Sequence, residues 1–116
     1  MSRYDFILPL RTVSRLNARE HWRVRQERSK AERTTAAMMC PHFPVPCVVT
    51  LTRVGPRALD SDNLQGALKS IRDGIADRLK VNDNGPLVDW RYAQERGPYA
   101  VRVLLEEPLS RGKDTK

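Results

Sequence analysis

Leu64, Leu68, Ile71, Ile75 and Leu79 recur at spacings of four, three, four and four, and an extended run stands on either side of them. That period lays five apolar side chains along one face of a helix that starts near Asp62. Before the helix, Val48-Val49-Thr50-Leu51-Thr52-Arg53-Val54 is rich in β-branched residues and closes at Gly55-Pro56. After it, Gly85-Pro86 leads into Val88, Trp90 and Tyr92, which alternate with Asp89, Arg91 and Ala93. A strand, a one-sided helix and a second strand in this order require a sheet against which the stripe is buried.

The flanking segments extend the pattern. Tyr4 to Leu10 is expected to form a strand, ended or confined to an edge by Pro9. Ala18 to Met39 contains good helix formers without Gly or Pro, with Asn17 as N-cap and Glu20 at the third helical position. Its apolar stripe is thin. Beyond Gly97-Pro98, Tyr99, Val101, Val103 and Leu105 alternate again, which suggests a hairpin with the strand at Val88. The expected fold is α+β, a small single domain over 1–106 with a mixed β-sheet packed against two helices. Residues 107–116 are expected to be a disordered polar tail.

At 116 residues the chain has room for one modest core. No apolar run approaches the roughly 20 residues that span a bilayer. Met-Ser-Arg-Tyr-Asp-Phe-Ile-Leu-Pro-Leu lacks the build of a signal peptide, so a cytoplasmic location is expected. Cys40 and Cys47 flank a Pro-rich turn and are expected to be reduced and half-buried. Together with His42 they fall short of a tetrahedral zinc site. The formal net charge of +7 implies attraction to nucleic acid, an anionic membrane or an acidic partner, and charge alone does not choose among them.

Against that charge the chain sets Asp60-Ser61-Asp62-Asn63 before the striped helix and Asn82-Asp83-Asn84-Gly85 after it. Mg²⁺ takes oxygen ligands and is held by a few carboxylates together with substrate phosphate. Asp60 and Asp62, two residues apart in an extended loop, would project the same way, with Asp62 also placed to cap the helix. Asp83 lies roughly 30 Å further along the helix contour, so it joins them only if the chain doubles back. Lys69, about two turns past Asp62, has the reach to meet a phosphate there, and Asp73 follows it at i+4. The plainer account of Asp60 and Asp62 is an Asx turn and helix cap. A calcium loop fits poorly, because Gln65 and Ile71 stand where it needs Gly and Glu.

These residues resemble the RusA-type Holliday-junction resolvases, especially a phage and prophage branch of that family. The likeness lies in Asp60-x-Asp62-Asn63-Leu64, Ala67-Leu68-Lys69, Arg72-Asp73-Gly74-Ile75-Ala76, Val81-Asn82-Asp83 with Pro86, and Trp90-Arg91-Tyr92-Ala93-Gln94. Asn17 and His21-Trp22-Arg23 add to it. The resemblance implies a homodimeric endonuclease of RusA-like fold that binds four-way DNA junctions and nicks two strands symmetrically in recombination and repair, using Mg²⁺ or Mn²⁺. It assigns Asp60, Asp62 and Asp83 as catalytic metal-binding carboxylates and Lys69 as the essential lysine. Two departures stand out: Asn82 occupies a position where many members carry Asp, and Gly66 stands where better-known members carry the lysine.

Arg19, Arg23, Arg25, Arg28, Lys30 and Arg33 on the first helix are the candidate contacts to DNA phosphates. Trp90 and Tyr92 are expected in the core or at a dimer interface. Two rival readings stand beside the nuclease. One is a non-catalytic nucleic-acid-binding module in which the aspartates only cap; the other is an interaction protein whose basic helix takes an acidic partner.

Overall fold

The computed structural model describes residues 3–12 and 22–108, and its elements follow the order β1 (Arg3–Leu8), α1 (Trp22–Met39), β2 (Cys47–Gly55), α2 (Ser61–Leu79), β3 (Val88–Arg96) and β4 (Ala100–Glu106). They form one α+β domain, a four-stranded mixed sheet in the order β1-β4-β2-β3 with two helices. Among the described residues no helix is long and apolar enough to cross a membrane.

β2 is the strand on which the sheet is centred. Its burial alternates strictly along Cys47–Gly55, as a period of two demands when only one face is covered. Val49 faces Leu105 on one side and Trp90 on the other, and Leu51 faces Val103 and Tyr92. These rows, with Phe6 and Leu8 of β1, meet the α2 stripe of Leu64, Leu68, Ile71, Ile75 and Leu79 in one core. The opposite sheet face is left open. There Ile7 is 57% exposed and Glu95 pairs with Arg102.

The expected hairpin between the last two strands does not form. β3 pairs in parallel with β2, while β4 crosses to the other side of β2 and pairs antiparallel with both β2 and β1. The α2 crossover delivers β3 to the far edge of β2, and the connection to β4 then passes over the end of that strand. Gly97 N–H donates to Gly55 O at 3.0 Å at this crossing. Alternating patterns alone do not distinguish a hairpin from two strands that flank a third.

Two boundaries also move. β1 ends at Leu8, two residues short of the expected strand, and Pro9 follows it. The expected start of the first helix, with Asn17 and Glu20, lies outside the described residues, as do residues 109–116 of the expected tail.

The thin stripe on α1 has a structural explanation. Of the α1 residues whose side chains are described, only Glu32 and Ala36 are buried, so the helix does not dock through large apolar side chains. It docks by close approach at Gly74 of α2, where an added Cβ would stand 2.2 Å from Arg33 O and 3.0 Å from Ala36 Cβ. Arg33 then reaches over the contact and grips Asp77 with two hydrogen bonds, of 2.7 and 2.9 Å. Arg53, only 3% exposed, ties the end of β2 to the chain leaving β1 by donating to Thr12 Oγ1 and Thr12 O, and it also donates to Arg57 O.

The two helical glycines should therefore respond in opposite ways to alanine. Gly74→Ala should destabilise the domain by about 1–3 kcal/mol through overpacking against α1. Gly66, which has nothing within 4 Å of its would-be Cβ, should become about 0.5–1 kcal/mol more stable as Gly66→Ala. Thermal or urea unfolding of the two variants checks the pair, and destabilisation of similar size at both positions would contradict it.

Candidate active site

The start of α2 is fixed from outside the helix. Gln94 of β3 accepts from Leu59 N–H at 2.8 Å and donates to Leu59 O at 2.7 Å, so a side-chain amide grips the backbone one residue before Asp60. Asp60 is the N-cap, extended at φ −72° and ψ 172°, and its Oδ1 accepts from Asn63 N–H at 2.9 Å. This corrects the expectation that Asp62 caps. Asp62 lies inside the first turn, where its charge favours the positive end of the helix dipole. Since the helix begins at Ser61, Asp62 follows helical geometry while Asp60 stays extended, so the two carboxylates do not share the orientation they would have in one extended loop.

The end of α2 turns the chain back. Lys80 takes the left-handed conformation, φ 59° and ψ 45°, and its N–H bonds to Ala76 O and Asp77 O. Val81 N–H also reaches Ala76 O, at 3.1 Å. Asn82 builds the turn that follows: its Oδ1 accepts from Asn84 N–H, and its carbonyl accepts from Gly85 N–H, both at 2.9 Å. An amide at position 82 thus has a local role of its own.

The doubling back brings Asp83 to Lys69. Lys69 Nζ stands 2.8 Å from Asp73 Oδ1 and 3.0 Å from Asp83 Oδ2, so one ammonium bridges two carboxylates. The hydrogen bond from Lys69 holds the Asp83 carboxyl below the ordinary carboxylate range. The bonds to Asp73 and then Asp83 raise the ammonium of Lys69. Arg72 fixes the same turn from the next face of the helix. Its guanidinium donates to Asp83 O at 2.6 Å and to Tyr92 Oη at 2.8 Å, and it stacks 4.8 Å over the Trp90 ring.

Sequence spacing pointed to Asp60, Asp62, Asp83 and Lys69, and the fold joins Lys69 to Asp83 while placing Asp60 and Asp62 at the head of the same helix. Seven residues of helix from Asp62 to Lys69 correspond to about 10 Å of axis. No group of three His, Cys, Asp or Glu among the described residues is close enough to share one ion. The carboxylates are hard oxygen donors of the kind Mg²⁺ takes, and Asp60 commits only Oδ1 to a hydrogen bond among the described residues. By donor chemistry the set fits a divalent cation. In this arrangement, however, Asp83 faces an ammonium.

Of the candidate phosphate contacts, Arg19 lies outside the described residues. Arg23, Arg25, Arg28, Lys30 and Arg33 are on α1. Arg33 is held by Asp77, and Lys30 and Arg33 line an open groove of ≈600 Å³ with Thr34, Met38 and Arg78. Sequence reasoning missed the roles of Arg72 and Gln94. Gln94 did leave a signal: it continues the Trp90, Tyr92 alternation and so puts an amide at a position that faces the helices.

No protein-family model matches the chain, and no curated protein matches it.

The Lys69–Asp83 pair predicts a pH response. Carboxylate-detected NMR should find Asp83 titrating below the usual ~3.9, and Lys69→Met should move it up toward that value. Because the folded-state pKa is depressed, the pair stabilises the fold above the unfolded value, and this contribution is lost as pH falls through the folded one. Wild type should therefore be more stable than Lys69→Met at neutral pH, with the difference closing once Asp83 is protonated.

Proposed function

We propose that the chain is a cytoplasmic, homodimeric, Mg²⁺-dependent endodeoxyribonuclease that resolves four-way DNA junctions by paired symmetric nicks, as its resemblance to the RusA-type resolvases implies. The observation that carries this reading is the return of the chain after α2. A helix headed by Asp60 and Asp62 receives Asp83 on its flank, beside a lysine, in a chain of net charge +7. A helix end that only needed a stop would not require the turn to travel back to Lys69.

In this reading Asp60, Asp62 and Asp83 would hold one or two Mg²⁺ ions, with Asp83 released from Lys69 to do so. When bound, the metal supplies an activated water and charge at the leaving oxygen. Lys69 has two roles in sequence. Before DNA arrives it neutralises Asp83 and Asp73, which keeps these carboxylates from repelling the phosphate backbone. With DNA bound, its ammonium passes from the carboxylate to a phosphate oxygen, where it stabilises charge that develops in the transition state. The cations of α1 and the groove at Lys30 and Arg78 would follow the phosphates of a branch arm, reading shape and not base edges.

One observation favours a second reading, a non-catalytic binding module. Two of the three assigned carboxylates have a structural partner among the described residues: Asp60 caps, and Asp83 pairs with Lys69.

Nicking of a labelled four-way junction and of linear duplex, with Mg²⁺ or EDTA, separates the two. The nuclease reading expects paired cuts on the junction only with metal, and their loss in Asp62→Asn while junction binding persists. Tight binding without cuts in either condition would establish the binding module. In both cases affinity should fall steeply with salt, log K changing by about 0.9 per phosphate neutralised for each unit of log salt, and a flat salt response would remove the role of the α1 cations.

A further inference from the structure

Two contacts on the helix-facing side of β3 have no part in the reading above. Gln94 grips Leu59 from both sides of its peptide unit, immediately before Asp60. Two residues earlier on the strand, the Tyr92 hydroxyl accepts from Arg72, and two before that the Trp90 ring lies under the same guanidinium, which holds the carbonyl of Asp83. Trp90, Tyr92 and Gln94 occupy alternate positions of one strand, so each lies about 6.6 Å from the next. β3 therefore holds the Asp60 segment directly, through Gln94, and the Asp83 turn at one remove, through Arg72 of α2, from side chains whose separation is set by rigid sheet geometry.

We propose that β3 is the ruler of the site: Gln94 and Arg72, the latter oriented by Tyr92 and Trp90, are positioning residues that set the separation of the Asp60–Asp62 loop from Asp83. The inference rests on the proposed nuclease reading and assigns it residues that touch neither metal nor DNA. Three features of the contacts support it. First, Gln94 bonds to backbone, so it fixes the loop whatever the side chain at 59. Second, the two Arg72 hydrogen bonds are of different kinds, a carbonyl on the Asp83 turn and a hydroxyl on the strand, which makes the guanidinium a strut between them. Third, Arg72 Nε is buried with no hydrogen-bond partner among the described residues, and it already forms an ion pair at 3.6 Å with Asp83 Oδ2, from which it can close on that carboxylate when Lys69 departs. Asp83 would then keep a cationic neighbour throughout.

Partners at one remove from metal ligands change affinity by about 10–100-fold when they are removed. Gln94→Met keeps the length of the side chain and removes both bonds; Tyr92→Phe removes one oxygen and keeps the ring. Both should retain cooperative melting. Gln94→Met should speed hydrogen exchange at the Leu59 amide and weaken Mn²⁺ binding, followed by paramagnetic relaxation, by about tenfold. The Mg²⁺ concentration for half-maximal junction nicking should rise by the same factor, with the maximal rate restored at saturating Mg²⁺. Tyr92→Phe should shift the metal dependence in the same direction while leaving Leu59 protected. That rescue is the signature of positioning, since loss of a catalytic group is not recovered by more metal.

If either folded variant binds Mn²⁺ as tightly as wild type, the ruler is wrong even though the nuclease reading stands. If wild type itself neither binds Mn²⁺ nor nicks, the reading falls and takes the ruler with it, while the Leu59 exchange result is unaffected. Should Gln94→Met fail to fold, Tyr92→Phe decides alone.

Discussion

The parallel pairing of β2 with β3 is the constraint on which the rest of the structure depends. Two adjacent strands running the same way need a crossover between them, and here α2 is that crossover. The helix must run back along the sheet, so its head lies at the end of β2 and its tail at the start of β3. Acidic residues at the two ends of such a helix begin as far apart as the helix is long. The left-handed cap at Lys80 and the turn built by Asn82 shorten that separation by returning Asp83 to the third turn of the helix.

Electrostatics then decides how the acidic residues coexist. Among the described residues Asp83 shares an ammonium with Asp73, Asp77 holds Arg33, and Asp60 accepts a backbone N–H. These pairs are partly exposed, so their worth to stability is small and sensitive to salt. Their effect is mainly geometric. Lys69 and Arg72 converge on Asp83 from successive turns of α2, and Arg33 arrives from α1 alongside, its guanidinium within the field of Asp73 and Asp83. The basic helix and the acidic turn are thus parts of one charged surface.

The fold was legible in the sequence where a single period dominates. The α2 stripe and the alternation in β2, β3 and β4 are each one amphipathic element with one buried face, and all four lie where the spacing put them. Strand order was not legible, because residues that alternate are compatible with any neighbour of matching polarity. The α1 contact was hidden for another reason: close approach at Gly74 writes itself as the absence of a side chain, which periodicity does not register. At the site, residue types marked Asp60, Asp62 and Asp83 as candidates and left open how they are held. Asp60 rather than Asp62 caps because Gln94, more than thirty residues later, fixes where the helix begins.

The position of β4 has a consequence for how the domain is made. It lies between β1 and β2, which have no hydrogen bonds to each other, and it is the last strand among the described residues. During synthesis the β2-α2-β3 unit can assemble as soon as it emerges, while β1 has no edge to pair with. Contacts between β1 and β4 close a loop of nearly the whole chain, the slowest kind to form. Until that strand is inserted, β2 presents an unsatisfied edge beside an already formed acidic helix. Vectorial folding would therefore finish the charged surface first and seal the sheet beneath it last.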